Sequence, residues 1–452
     1  MTIAKGFVIA APSSGSGKTT ITLALLRALR DTGVRISSGK SGPDYIDPAF
    51  HSAASGRPCL NYDAWAMSLA QLSLNATEQE KHSDIVVIEG AMGLFDGAAD
   101  GSGSVAELAV HLGLPVILVV DCKSQAQSVA ALVHGFLTYH PHCHIAGVIL
   151  NRVGSERHER ILRHALEQLN VIVLGAFYRS EKLALPERHL GLVQASERED
   201  LEEFLNAAGE VAAESVDVPA LMRLTKVLAI PARENKELTG ISHLPPLGQH
   251  IAIAKDIAFA FSYEHLLSDW QKQGVTLSFF SPLADEGPSA DADAVFLSGG
   301  YPELHAEKLS HSNGFKSGMK TAADAGKLIY GECGGYMVLG DALTDKSGQS
   351  HEMLGLLPIE TSFADRKLHL GYRKLKATEA AGASGFPWLK PLGAHEFHYS
   401  TLTVKSEAPS LFAAQDAEHH ELDPLGHING RVMGSFAHVV AERSEEWWSA
   451  SF

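Results

Sequence analysis

Two short stretches of this 452-residue sequence carry residue types that do chemistry only in company. The first is Pro12-Ser13-Ser14-Gly15-Ser16-Gly17-Lys18-Thr19-Thr20, between the apolar run Phe7–Ala11 and a helical pattern. Small residues ahead of Lys-Thr let backbone N–H groups converge on phosphate oxygens, and a helix start adds its dipole. Gly15, Ser16, Gly17, Lys18, Thr19 and Thr20 are therefore candidate ATP-binding residues. Lys18 would reach the β- and γ-phosphates, and the Thr19 hydroxyl would hold Mg²⁺. Pro12 stands where the strict Walker A pattern has glycine, so the loop is a variant.

Mg²⁺ is a hard cation and needs further oxygen ligands. Asp44 and Asp47 lie in the stiff, polar Gly42-Pro43-Asp44-Tyr45-Ile46-Asp47-Pro48, and Glu89 ends the apolar run Ile85–Ile88. Ligands gather at the carboxyl ends of strands in open α/β sheets, which makes Asp44, Asp47 and Glu89 candidate metal ligands. Asp121 and Asn151 also fall at strand ends, and Asn151 joins the ATP-binding candidates.

The second stretch is Gly331-Glu332-Cys333-Gly334-Gly335, between the apolar Leu328-Ile329-Tyr330 and a helical Tyr336–Leu339. A tight strand-to-helix turn of this pattern presents a nucleophile, and the helix start favours thiolate over a thiol of ordinary pKa ~8.5. The loop Ser298-Gly299-Gly300-Tyr301-Pro302-Glu303 follows another apolar run. Gly299 and Gly300, with Gly334, are candidate oxyanion donors. A base must come from elsewhere, and His395, His398 and His438 are the candidates. Metal binding by Ala394-His395-Glu396-Phe397-His398-Tyr399-Ser400 is disfavoured, because the H-E-x-x-H pattern would need histidine at Tyr399. His140-Pro141-His142-Cys143-His144 reads as a solvated turn.

Elements must hold these residues. Expected strands at Phe7–Ala11, Ile85–Ile88, Val116–Val120, Ile145–Leu150 and Val171–Leu174 alternate with helices such as Thr19–Arg30, which gives a mostly parallel, covered sheet. A helical, acidic stretch over 197–213 closes this half. Pro231, Gly240, Pro245, Pro246 and Gly248 mark a linker, after which Ile251–Ala254, Ala294–Leu297 and Leu328–Tyr330 resume the alternation. The expected organisation is an ATP-dependent domain over 1–235, a linker over 236–249 and a second α/β domain over 250–452.

Hydrophobic residues at 45% fit a globular chain, and no apolar run reaches the ~18–20 residues of a membrane span. A net charge of −16 argues against nucleic acid as partner. Cys59, Cys122, Cys143 and Cys333, without a CxxC pair, fit a reducing cytoplasm.

A phosphate loop followed by a cysteine elbow points to ATP-driven amidation fed by glutamine hydrolysis. Two other readings each leave half the chain idle: a stand-alone P-loop switch or partition ATPase, and a cysteine hydrolase. The sequence resembles the cobyrinic/hydrogenobyrinic acid a,c-diamide synthases of corrinoid biosynthesis. The resemblance rests on the phosphate loop, on Lys40-Ser41-Gly42-Pro43-Asp44-Tyr45-Ile46-Asp47-Pro48 and on Leu185-Pro186-Glu187-Arg188-His189-Leu190-Gly191-Leu192. Gly299-Gly300-Tyr301-Pro302-Glu303 and His395-Glu396-Phe397-His398-Tyr399-Ser400 complete it.

The resemblance implies an N-terminal domain similar to dethiobiotin synthetase and a C-terminal class I-type glutamine amidotransferase domain. It implies Cys333 as glutaminase nucleophile, His438 as its activating histidine, Mg²⁺ as cofactor and ATP and glutamine as co-substrates. A homodimer is the expected assembly. Many amidotransferases carry Glu two residues after the histidine; here that position is Val440, and Glu442 is the next acid. Ala11–Gly15, Ser38–Gly42 and Asn61–Met67 look more like the aerobic, hydrogenobyrinic acid branch. Cobyrinic acid, the cobalt-containing substrate of the anaerobic branch, is the alternative.

Overall fold

Phe7, Val8, Ile9 and Ala10 leave no polar face, and a strand apolar on both sides belongs inside a parallel sheet. The computed structural model describes residues 4–180, 183, 187–188, 191–229, 243–404 and 406–449, with backbone alone at 187–188 and 191–192. It divides into two units, Met1–Ile241 and Ser242–Phe452. In the first unit that apolar run is β1 (Lys5–Ala10), followed by β2 (Ile36–Ser41), β3 (Leu60–Tyr62), β4 (Ile85–Glu89), β5 (Val116–Asp121), β6 (Ile145–Val153) and β7 (Ile172–Tyr178). The spatial order is β3-β2-β4-β1-β5-β6-β7, all parallel, with the short strand Lys226–Val227 antiparallel on β1. The chain builds one side of β1 first and then crosses to β5. That reversal opens a crevice at the carboxyl ends of β1, β2 and β4.

β2 and β3 were not expected, because Ile36-Ser37-Ser38-Gly39-Lys40-Ser41 lacks an apolar pattern, yet the whole strand is buried. Hydrogen bonds offset the cost of burying it: Gln79 Nε2 donates to the Ser38 carbonyl at 2.6 Å, and Tyr62 Oη donates to Gln79 at 2.8 Å. Tyr62 lies over Gly39, where a Cβ would come within 2.6 Å of its ring.

Helix α1 (Lys18–Asp31) begins at Gly17, whose φ of +85° is a left-handed turn that glycine adopts freely. Its buried face carries Ile21, Leu25, Leu26 and Leu29, and Thr32 and Gly33 end it. The acidic helix, expected over 197–213, runs Leu201–Ser215 and places Glu202 2.5 Å from Arg27 of α1. Helix α2 (Asp47–Ser55) starts at Asp47-Pro48, with proline at its tolerated first-turn position.

Among its described residues the second unit holds three sheets, a small four-stranded one over residues 342–402 and two that carry the cysteine turn and its histidine. One is mostly parallel, in the order Thr276–Phe280, His250–Ala254, Ala294–Leu297, Leu328–Glu332, Val432–Ser435, with His427–Asn429 antiparallel at the edge. The other is antiparallel: Glu421–Leu425, Phe412–Gln415, His369–Ala377, Leu392–His398 and His438–Glu442. This antiparallel sheet was not anticipated. Its strands, such as His-Leu-Gly-Tyr-Arg-Lys-Leu-Lys-Ala, are half polar and form through partners distant in sequence.

The linker expected over 236–249 is corrected in part. Residues 236–242 lie outside the described set, but 243–249 pack into the second unit. Leu244 and Leu247 are buried, and Trp270 and Trp388 donate their indole N–H groups to the carbonyls of Leu244 and Pro245. Among the described residues no helix is long and apolar enough to cross a membrane.

Candidate active sites

In the first unit a cavity of about 450 Å³ opens over the phosphate loop, and Gly15, Gly17, Lys18, Thr19, Thr20, Asp44, Asp47 and Asn151 line it. Ser16 is buried beneath the loop, its hydroxyl donating to the Ser13 carbonyl. Lys18 Nζ reaches that same carbonyl at 3.3 Å. Asn151, at the end of β6, donates from Nδ2 to the Ser16 carbonyl at 2.8 Å, so it braces the loop directly. Asp121 pairs with Arg152 at 2.6 Å and does not join the carboxylates.

Those carboxylates meet at Lys40, a residue of the same Lys40–Pro48 stretch whose type and spacing alone assign it no role. Lys40 sits opposite Glu89 across β2 and β4, a register that aims both side chains the same way. Its Nζ lies 2.5 Å from Asp47 Oδ2, 2.8 Å from Glu89 Oε1 and 3.9 Å from Asp44 Oδ2. Thr19 Oγ1 donates to Glu89 at 2.8 Å and lies 3.2 Å from Asp47. Asp44 also caps its own loop, accepting from the backbone N–H of Ile46 and Asp47. His51 of α2 was missed entirely: its Nε2 is 2.6 Å from Glu89 Oε2, with both side chains fully buried.

Burial disfavours charge on Lys40, but Asp47, Glu89 and Asp44 overturn that and hold it protonated well above the usual lysine range. Burial likewise works against His51, and Glu89 lifts it to about 10. Glu89 stays ionised, because Lys40 and His51 outweigh its desolvation. Asp44, its side chain 31% exposed, is pushed up to about 6 by partial burial and by Asp47. Lys18 is lowered to about 8, chiefly by burial. The donor set fits Mg²⁺: hard oxygens of Thr19, Asp44, Asp47 and Glu89 converge, and an ammonium already occupies their focus.

In the second unit, Cys333 follows Leu328–Glu332 at φ +46°, ψ −106°, and helix Gly334–Leu339 starts at once. Such a backbone in a non-glycine residue is strained, and strain of this kind concentrates at functional turns. Cys333 N donates to the Ser435 carbonyl at 2.8 Å, tying the turn to the next strand. Three residues after that strand ends, His438 opens His438–Glu442 in the antiparallel sheet. Gly299 shows how closely the groups meet. A Cβ there would lie 2.3 Å from His438 Cε1, 3.1 Å from its Nε2 and 3.3 Å from Cys333 Cβ. Gly334 packs on Gly300, a Cβ on the former falling 3.0 Å from the latter's nitrogen.

The thiolate expectation is corrected. Cys333 is 2% exposed, and burial, reinforced by Glu303, Glu332 and Glu396, pushes its thiol well above the ordinary range. The Gly334 N–H works the other way and does not prevail. Burial also holds His438 neutral, down to about 3.

Of the other histidines, His395 is paired opposite His438 in the sheet, and His398 is engaged elsewhere. His398 stacks on Phe436 at 3.9 Å, and its ring nitrogens face Ser400 O at 3.0 Å and Glu396 Oε1 at 3.2 Å. Both belong to a strand rather than a helix, so no zincin arrangement forms.

Residues 250–446 match the CobB/CobQ-like glutamine amidotransferase domain, and residues 7–193 match the CobQ/CobB/MinD/ParA nucleotide binding domain. A hydrogenobyrinate a,c-diamide synthase of Brucella anthropi is 53% identical over 96% of this chain and 98% of that protein. The protein of the same name from Mesorhizobium japonicum is 47% identical over 98% and 99%. A solved MinD cell division protein of Aquifex aeolicus is 15% identical, with a TM-score of 0.31 over 49% of this chain and 98% of that one. A nucleotide-binding domain and a glutamine amidotransferase domain in one chain, matched end to end by these relatives, make the protein a glutamine-dependent amide-forming ligase belonging to the hydrogenobyrinate a,c-diamide synthase family.

Proposed function

We propose that the protein amidates the a and c acetate carboxylates of hydrogenobyrinic acid, using ATP and glutamine. The observation that carries this reading is the division of labour between a carboxylate–lysine cluster under a phosphate loop and a separate thiol–imidazole turn. A carboxylate does not exchange oxygen for ammonia until that oxygen becomes a leaving group. A substrate carboxylate oxygen attacks the γ-phosphorus of ATP, ADP departs, and an acyl phosphate forms. Ammonia then adds to the carbonyl and phosphate leaves, giving the amide.

Lys18 and the loop N–H groups hold the phosphates, and Asn151 keeps the loop in place. Thr19, Asp44, Asp47 and Glu89 would hold Mg²⁺, which when bound supplies neutralisation of charge on the transferring phosphoryl group. Lys40 keeps the buried carboxylates compensated, and His51 orients Glu89. In the second unit the Cys333 thiol yields its proton to His438 and its sulfur attacks the glutamine amide carbon. The imidazolium protonates the departing nitrogen, ammonia leaves, and water clears the thioester. Gly299, Gly300 and Gly334 are the proposed oxyanion donors. We place the enzyme in the cytoplasm and propose a homodimer, which sedimentation would measure.

The names of the relatives favour the cobalt-free macrocycle over cobyrinic acid. Both macrocycles supplied together with ATP, Mg²⁺ and glutamine decide between them by mass spectrometry. Hydrogenobyrinic acid a,c-diamide is expected to accumulate first, and preferential conversion of the cobalt form would reverse the assignment.

A further inference from the structure

An imidazole that takes a thiol's proton in a dry site is helped by a hydrogen-bond acceptor behind it, and a carboxylate both aims the ring and faces the imidazolium. Downstream of His438 the strand offers none. Val440 is apolar, and Glu442 is four residues on, about 13 Å along the strand at ~3.3 Å per residue. Glu442 instead lies 2.8 Å from Lys390. Glu396 is held by Arg373 at 2.5 Å and by His398 at 3.2 Å. Glu332, one residue before the nucleophile, is different. Its Oε2 lies 3.7 Å from His438 Nδ1, with both side chains buried. Its Oε1 accepts from the Val439 N–H at 3.0 Å and from Tyr330 Oη at 3.2 Å. One oxygen thus anchors the backbone next to the histidine while the other faces its ring.

We propose that Glu332 is the positioning residue for His438, completing a Cys333–His438–Glu332 relay whose carboxylate comes from the nucleophile turn itself. This rests on the reading of Cys333 as the glutaminase nucleophile. In the relay Nδ1–H donates to the Glu332 carboxylate, which leaves the Nε2 lone pair to accept the thiol proton. The Sγ–H bond breaks as Nε2–H forms, and that proton later goes to the departing amide nitrogen. Glu332 itself exchanges no atom with substrate.

Burial holds the Glu332 carboxyl up at about 8, with the Val439 N–H and Tyr330 working against it. The carboxylate form is therefore gained as the pH climbs toward that value. The other titratable groups around the relay are Cys333, Glu303, Glu396, His395 and His398.

The test measures kcat and KM for glutamine hydrolysis, and ammonia-dependent synthesis, on the full chain over roughly pH 6 to 9. Glu332→Gln keeps the size and the acceptor for Val439 N–H but cannot become an anion. It is expected to lose about 10- to 100-fold in kcat, with KM nearly unchanged, ammonia-dependent synthesis intact and the alkaline rise of the profile flattened. Glu332→Asp, still ionisable, should keep a rise, and Glu442→Gln should match the parent. Parental kcat and an unflattened profile in Glu332→Gln would overturn the proposal, as would equal loss with ammonia. Glutamine hydrolysis surviving in Cys333→Ser would instead remove the nucleophile reading beneath it.

Discussion

The two sites handle burial in opposite ways. In the phosphate site Lys40, His51 and Glu89 are all buried, and they remain charged because cation and anion alternate within about 3 Å. In the thiol site the buried groups are further apart, 3.7 Å between Glu332 and His438, and burial wins: thiol, imidazole and carboxyl all rest neutral. Charged substrates explain the first arrangement, since a triphosphate and a carboxylate need fixed counter-charges in place before they arrive. On the proposed reading glutamine's reacting amide is neutral, so the second site can stay dry and uncharged until the amide engages the thiol.

The largest expected effect breaks that comparison cleanly. Cys333→Ala should abolish glutamine-dependent amidation, about 10³-fold or more, while ammonium salts still support synthesis at the parental rate. Steady-state amidation with each nitrogen source measures it. Equal failure with ammonia would mean that the two sites are not separable.

Next in size is Lys40→Met, which removes the cation shared by Asp47 and Glu89 and leaves His51 alone to compensate Glu89. Breaking a buried pair in this way costs on the order of 3–5 kcal/mol. The unit should melt several degrees lower, ATP use should be lost, and added Mg²⁺ should restore part of the stability by replacing the ammonium. A melting curve indifferent to both the substitution and Mg²⁺ would remove the cluster from metal binding. Glu89→Gln should impair ATP use more than Asp44→Asn, because Glu89 contacts Thr19, Lys40 and His51 while Asp44 stands 3.9 Å off at the rim.

The smallest effect sharpens the account of the neutral site. The Glu332 carboxyl is raised from 4.5 to about 8 in the folded protein, so the native state keeps a proton that the unfolded chain gives up. Its contribution to stability is fully present below pH 4.5 and is lost as the pH climbs through about 8. Glu332→Gln removes that loss. Relative to the parent, the variant should gain a few degrees of Tm between pH 5 and pH 8, about 1 kcal/mol or more. A constant Tm difference across that range would show that Glu332 is already ionised at rest.

Sequence alone determined what local order can encode. The phosphate loop and the cysteine elbow are contiguous strand–turn–helix units, so their residues announce themselves by spacing. Apolar runs such as Phe7–Ala11 and Ala294–Leu297 fixed the strands that carry them. The acids Asp44, Asp47 and Glu89 were legible because each ends a strand or sits in a stiff loop. Lys40 was not, since a single lysine in a polar run looks solvated; only the pairing of β2 with β4 buries it against Glu89. His51 depends on how α2 docks, and Glu332 on the strand that brings His438 back beside it from more than a hundred residues away. Neighbours in space but not in sequence set these groups' charges, because desolvation and ion pairing act through distance. That is why the tertiary structure alone decided that one site stays charged and the other rests neutral.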